Sequence, residues 1–202
     1  MPNTAVTQSE LVYIFADKLI SQRANFVNTY KLPSGERLPV KVLAQSMVLA
    51  AWAELVNRKL ITLAIKDIKK LLLFSGKEIF AKKLVTDQKS ELSGIEKILI
   101  SNIDQETKVR DAVYNLLSED ESSPWGQIIY LNKKSLIAKG LLNQEGNQFD
   151  QAEIKKLQSK FSLLQQQFDH FSFTGETLEL LNQAIKKGMN ARVERAEGAD
   201  FD

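Results

Sequence analysis

The chain has 202 residues, 44% of them hydrophobic, which is enough apolar surface for one substantial core and sets the expectation of a single folded domain. Its 27 Lys and Arg against 25 Asp and Glu leave a net charge of +2, so no whole-molecule field draws it onto nucleic acid or lipid, and any such attraction must be local. Without cysteine and with one histidine, a disulfide framework, a thiolate metal site and the common zinc sites are excluded, no cofactor is expected, and a cytoplasmic setting is.

The N-terminal "MPNTAVTQSELVYIF" lacks the basic start and apolar run of a secretory signal. Leu11, Phe15, Ile20 and Phe26 then recur at helical spacing over residues 9–29, with Ser9 and Glu10 as the start signal, predicting a first helix. "KLPSGERLP" concentrates Pro33, Ser34, Gly35 and Pro39, each of which resists helix continuation, and predicts a loop or hairpin. From Val40 to Asn57 apolar residues cover nearly the whole helical circumference, including Met47, Leu49, Trp52 and Leu55, as expected of a central helix enclosed by other elements. Gln45 and Glu54 interrupt its longest apolar run, which is too short to span a bilayer, so no transmembrane segment is expected.

"LITLAI" next alternates Ile61, Leu63 and Ile65 with Thr62 and Ala64 at strand period, and "KKLLLFSGKEIFAKKLV" suggests a hairpin turning at Ser75 and Gly76. Helices are predicted over 92–104 and 107–118, an acidic loop at "SEDESSP", and a helix from Gly126 to Lys139. That helix stops at Gly140 and runs through Leu141 and Leu142 into a polar turn at Asn143 to Asn147, closed by Phe149, which reads as a small hairpin. Ile154, Leu157, Phe161, Leu164 and Phe168 form a narrow stripe that predicts a helix packed on one neighbour. Thr174 and Glu176 open a last short helix through Leu178, Leu181 and Ile185. The fold class expected is mainly α, a single helical domain with one or two short β-hairpins. Its body is residues 1–150, helices from 151–187 pack on it, and 188–202 form a disordered tail.

Two segments echo each other. "AELVNRKLITL" at 53–63 and "KSLIAKGLLNQ" at 134–144 each place apolar residues one turn before a basic turn, then an apolar pair leading into extended chain, so the two halves are expected to repeat a helix-then-hairpin unit. A helix ending in "LIAKGLL" before a hairpin also occurs in winged-helix DNA readers, which makes Lys133, Lys134 and Lys139 candidate phosphate contacts. The same helix has no arginine and carries Ile128, Ile129, Leu131, Leu136 and Ile137, which demand burial, so nucleic acid is the lesser expectation.

Between Arg58 and Lys89 cations outnumber Asp67, Glu78 and Asp87. Long basic side chains on a solvated surface, their stems covering apolar groups, account for such a run. The functional alternative is an anionic-lipid patch in which each lysine contributes about 1 kcal/mol near charged lipid. On that reading Arg58, Lys59, Lys66, Lys69, Lys70, Lys82 and Lys83 are the candidate lipid- or anion-binding residues. No aromatic interleaves them in a base-stacking pattern. Catalysis finds no support: His170 lies between Phe168 and Phe171 near the chain's end, Asp120 and Glu121 lie in a hydrophilic loop, and neither "GxxxxGK[ST]" nor "GxGxxG" occurs. Trp125, following Pro124, is read as a helix-entry residue or, alternatively, an exposed anchor.

Taken in order, "LAQSMVLAAWAELVNRKLITL", "LSGIEKILISNI", "VRDAVYNLLSE" and "KKSLIAKGLLNQEGNQF" resemble the landmarks of the Golgi phosphoprotein 3 family, over residues 9–149. The resemblance implies a mainly helical, non-catalytic adaptor, peripheral on a membrane through a phosphoinositide headgroup and a hydrophobic hairpin, that grips the cytoplasmic tails of membrane proteins. The family's lipid pocket uses a tryptophan and arginines. This chain has Pro39, Val48, Ile129 and Leu131 near those positions, and without guanidinium forks phosphoinositide recognition of that type is not expected. A protein partner or self-association through the 154–168 stripe completes the expectations.

Overall fold

A computed structural model describes residues 5–20, 28–70, 74–84, 92, 94–117, 123–158, 161, 173 and 175–198. Its axis is α3 (Val40–Asn57), the expected central rod, with Leu43, Met47, Val48, Trp52 and Leu55 fully buried. Pro39 fixes the entry at φ −60°, where a missing N–H costs nothing because the first helical N–H groups lack intrahelical acceptors. Around it pack α1 (Gln8–Ile14), α4 (Gly94–Ser101), α6 (Pro124–Ala138) and α8 (Gly175–Gly198). The smaller helices are α2 (Ala16–Leu19), α5 (Val109–Tyr114) and α7 (151–158). The chain is therefore mainly α with small antiparallel sheets.

The first helix starts one residue earlier than the sequence suggested and is shorter. Thr7 is the cap, its hydroxyl accepting from the Glu10 N–H while the Glu10 carboxylate accepts from the Thr7 N–H, a reciprocal box. Phe15 leaves helical geometry, and Thr29 already lies in a strand, so no continuous helix reaches residue 29. The "KLPSGERLP" segment is the expected hairpin: β1 (Thr29–Lys31) pairs with β2 (Arg37–Pro39), turning at Gly35 with φ +95°.

The second hairpin is long. β3 (Ile61–Lys70) and β4 (Phe74–Lys83) pair in unbroken register from Ile61 opposite Lys83 to Lys70 opposite Phe74, and β5 (Thr107–Lys108) adds to the far side of β4. Ser75 and Gly76, expected at its turn, lie inside β4 opposite Lys69 and Ile68. Residues 71–73, between the two strands, lie outside the described residues.

The echo between the halves is real at the helix ends. In α3 the Leu60 N–H reaches the Leu55 carbonyl (3.0 Å) and the Lys59 N–H reaches that of Val56 (2.9 Å). In α6 the Leu141 N–H reaches Leu136 (3.0 Å) and the Gly140 N–H reaches Ile137 (3.0 Å). Both are Schellman closures, which require a left-handed residue, supplied by Gly140 at φ +70° and, at steric cost, by Lys59 at φ +56°. The small hairpin expected after α6 reduces to one bridge, Leu142 to Phe149.

The helix expected to end before Gly188 continues to Gly198, which corrects the disordered tail for residues 188–198. Leu181, Ile185, Met189 and Arg192 are all buried, so the inward stripe passes straight through the glycine. Gly188 is there for proximity: a Cβ would stand 2.5 Å from the Arg110 carbonyl oxygen on α5. The 154–168 stripe is described only at Ile154, Leu157 and Phe161; Ile154 is buried and the Phe161 ring packs 4.7 Å from that of Phe15. Leu164, Phe168, His170, Asp120 and Glu121 lie outside the described residues.

Candidate functional site

The predicted cationic residues do not form one surface. In an antiparallel ladder opposed residues share a face. One face of the hairpin therefore carries Thr62 with Lys82, Ala64 with Phe80, and Lys66 with Glu78, joined by Lys108 opposite Phe80. Thr62, Ala64, Lys66 and Lys82 are exposed. The other face carries Ile79 and Ala81, both buried, beside half-buried Leu63, and it turns Lys77 toward α8, where its ammonium meets Glu176 at 2.6 Å. Lys83 shares that inward face, opposite Ile61, and is half-buried. Lys69 and Lys70 occupy the last paired positions, opposite Ser75 and Phe74. Arg58 and Lys59 sit at the root of the hairpin, at the end of α3.

Several of these charges are already paired. Arg58 lies 3.3 Å from Glu54, Lys66 pairs with Glu106 and stands 5.4 Å from the Phe80 ring centre, and Lys108 reaches Glu78 at 2.9 Å. Lys59 and Lys82 are exposed and make no ion pair among the described residues. Ten residues at about 3.3 Å each make the hairpin about 33 Å long, and Lys82 and Lys66 stand on the outward face of its root half.

A second cluster was not legible as a unit: three carboxyls converge on the start of α1. Glu54 of α3 accepts from the Gln8 N–H (2.6 Å), Glu96 of α4 accepts from the Ser9 N–H (3.1 Å), and Glu10 receives Lys139 (2.6 Å) and the Ser135 hydroxyl (2.6 Å) from α6. The Ser9 hydroxyl completes the set by donating to the Asn132 side-chain oxygen at 3.1 Å. Burial, reinforced by the neighbouring Glu54 charge, pushes the Glu96 carboxyl up to about 8. Burial also raises Glu54, against the opposing pull of the Gln8 N–H and Arg58. These groups satisfy the orphan donors of a helix terminus, and neither groove described below is lined by them. Lys139, a candidate phosphate contact, is withdrawn from that role: its side chain is 5% exposed and also donates to the Ala5 carbonyl.

A groove runs between α3 and α8, about 520 Å³ in volume. Lys41, Gln45 and Leu49 line one wall and Asn182, Lys186 and Asn190 the other, each row spaced by four residues, and the Gln45 amide donates to the Asn182 oxygen at 3.0 Å. Trp125 contributes to the lining and is otherwise buried, so it is a helix-entry residue and not an exposed anchor. Neither row was singled out by sequence pattern, because each supplies only half of the groove and they lie far apart in the chain. A smaller groove of about 30 Å³ gathers Lys77, Lys108, Arg110 and Lys187 around Glu78.

Of the positions resembling those of the Golgi phosphoprotein 3 lipid pocket, Val48 and Ile129 are buried in the core, and neither side chain carries a polar donor. Among the described residues no group of three or more His, Asp or Glu side chains is placed to hold a metal ion, and no helix is long and apolar enough to cross a membrane. Comparison with known proteins finds no matching family model, no matching curated protein and no matching solved structure.

Proposed function

We propose that the chain is a non-catalytic adaptor of Golgi phosphoprotein 3 type, peripheral on the cytoplasmic side of an anionic membrane through its β3–β4 hairpin. The observation that carries this reading is the division of the hairpin into an inward face fixed against α8 and an outward face bearing Lys66 and Lys82, with Lys59 at its root and Lys69 and Lys70 at its far end. Fixed lysines on a ribbon attract anionic headgroups without needing a headgroup-specific pocket. In sequence, Lys69 and Lys70 directly precede Leu71, Leu72 and Leu73, a neighbourhood that suits lipid better than a phosphodiester chain.

Sedimentation with vesicles of phosphatidylcholine alone and of phosphatidylcholine with phosphatidylserine tests it. The native chain should sediment only with the anionic vesicles, less as salt rises. Reversing Lys66, Lys69 and Lys70 to Glu removes about 3 kcal/mol of attraction, a loss of roughly a hundredfold in affinity, while an unchanged melting transition shows that the fold survives. Equal sedimentation with neutral vesicles, or no effect of the reversal, refutes the reading.

A further inference from the structure

We infer that the groove between α3 and α8 is a docking site for a short extended peptide segment bearing acidic side chains. Its two walls are matched rows, Lys41, Gln45, Leu49 on α3 and Asn182, Lys186, Asn190 on α8. Each row spans two helical turns, about 12 Å, which is the length of three to four residues of extended chain. The volume of about 520 Å³ falls within the range of built ligand sites.

The chemistry of the walls selects the occupant. Side-chain amides carry donors and acceptors together, which is what an extended backbone needs, since its N–H and C=O groups alternate along the strand and find no partner within it. Gln45 and Asn182 are held to each other across the groove, and Asn182 is further fixed by donating to the Leu178 carbonyl at 3.1 Å, so both amides are preorganised. The two cations stand on opposite walls, both are exposed, and neither makes an ion pair among the described residues. Among the described residues no carboxylate lines the groove, so its charged lining there is cationic. Val42 and Leu49 add apolar surface for the aliphatic part of a bound side chain.

A membrane is a poor occupant, because the site is concave and its amides would have nothing to read on a flat headgroup layer. A phosphate is also poorly served: the walls hold no arginine fork. The α8 wall of the groove lies beyond the residues that carry the resemblance. The inference deepens the adaptor reading by naming the chemistry of its cargo, and rests on that reading for its biological meaning.

The test uses the full chain with two synthetic peptides, acetyl-Glu-Leu-Glu-Leu-Glu-amide and its Lys counterpart. Binding is followed by tryptophan emission and by NMR shifts of the Gln45, Asn182 and Asn190 side-chain amides. The Glu peptide should shift these signals saturably at millimolar concentration, and the Lys peptide should not. The variant K41E/K186E, whose substitutions fall on exposed positions, should weaken the Glu peptide at least about tenfold. K66E/K82E should leave it unchanged, which separates the groove from the hairpin: lost vesicle binding with retained peptide binding sinks only the membrane reading. Equal binding of both peptides, absence of shifts in the groove, or insensitivity to K41E/K186E overturns the inference.

Discussion

Glu96 gives a stability test with a definite sign. Its carboxyl is fully buried, one oxygen accepts the Ser9 N–H and the other has no partner, and no cation pairs with it among the described residues. Held at about 8 in the folded chain against an ordinary value of 4.5, the group stays protonated in the native state where the unfolded state has already ionised. The folded state then binds the extra proton, so stability falls as pH rises from 4.5 and levels off above about 8. At about 1.4 kcal/mol per pH unit the full window amounts to no more than about 5 kcal/mol, and relaxation around the charged form reduces it. Replacing Glu96 by Gln keeps an oxygen for the Ser9 N–H and mimics the neutral acid in shape, but cannot ionise. Urea unfolding of both proteins from pH 4.5 to 8.5 should show equal stability at the acid end and the variant more stable by about 2–5 kcal/mol at the alkaline end. Glu54, raised in the same direction, contributes to both proteins and largely cancels in the difference. A difference independent of pH, or a variant weaker at pH 8.5, refutes the account of this cluster.

Two further outcomes follow from the helix ends and the buried ion pair. Lys59→Gly should stabilise the chain by about 1 kcal/mol in thermal unfolding, because the side chain is held in left-handed geometry, whereas Lys59→Ala, which keeps a Cβ, should gain nothing. Lys139→Met leaves the Glu10 carboxylate, 0% exposed, without its cation and should cost about 3–5 kcal/mol. Adding Glu10→Gln should recover most of that loss, and a double-mutant cycle in which the two substitutions simply add contradicts the pairing.

The parts of the fold that could be read from the sequence are those specified locally. The rod from 40 to 57 shows itself through apolar residues on every side, and the strand after it through alternation at 61–65. Sequence and structure part where a residue type has two uses. Glycine ends many helices, but the contact with the Arg110 carbonyl that explains Gly188 is made by a segment nearly eighty residues away. Lysine is usually a surface cation, which makes Lys139 a candidate phosphate contact by sequence, whereas its partner Glu10 is 129 residues distant. The groove is invisible for the same reason, since Gln45 and Asn182 meet across 137 residues. A single acid inside the apolar "AAWAELV" was the one signal pointing to the carboxyl cluster, because an unpaired buried charge demands a partner somewhere.

Why a long ribbon forms in the first half and not the second follows from what happens after two equivalent helix ends. Both α3 and α6 close with the same pair of backbone bonds and deliver a leucine into extended chain. After Leu60 ten residues find a ten-residue partner, because alternating apolar positions along β3 and β4 cover α8 and the core on one side. After Leu141 the chain meets Asn143, whose side-chain oxygen accepts the N–H groups of Asn147 (2.9 Å) and Gln148 (3.2 Å). Those bonds compete with a ladder and fold the segment back within a few residues, which leaves room for the single bridge to Phe149. A turn that short has no second face to expose. The same unit thus yields a long ribbon in one case and a short turn closed by the Asn143 side chain in the other.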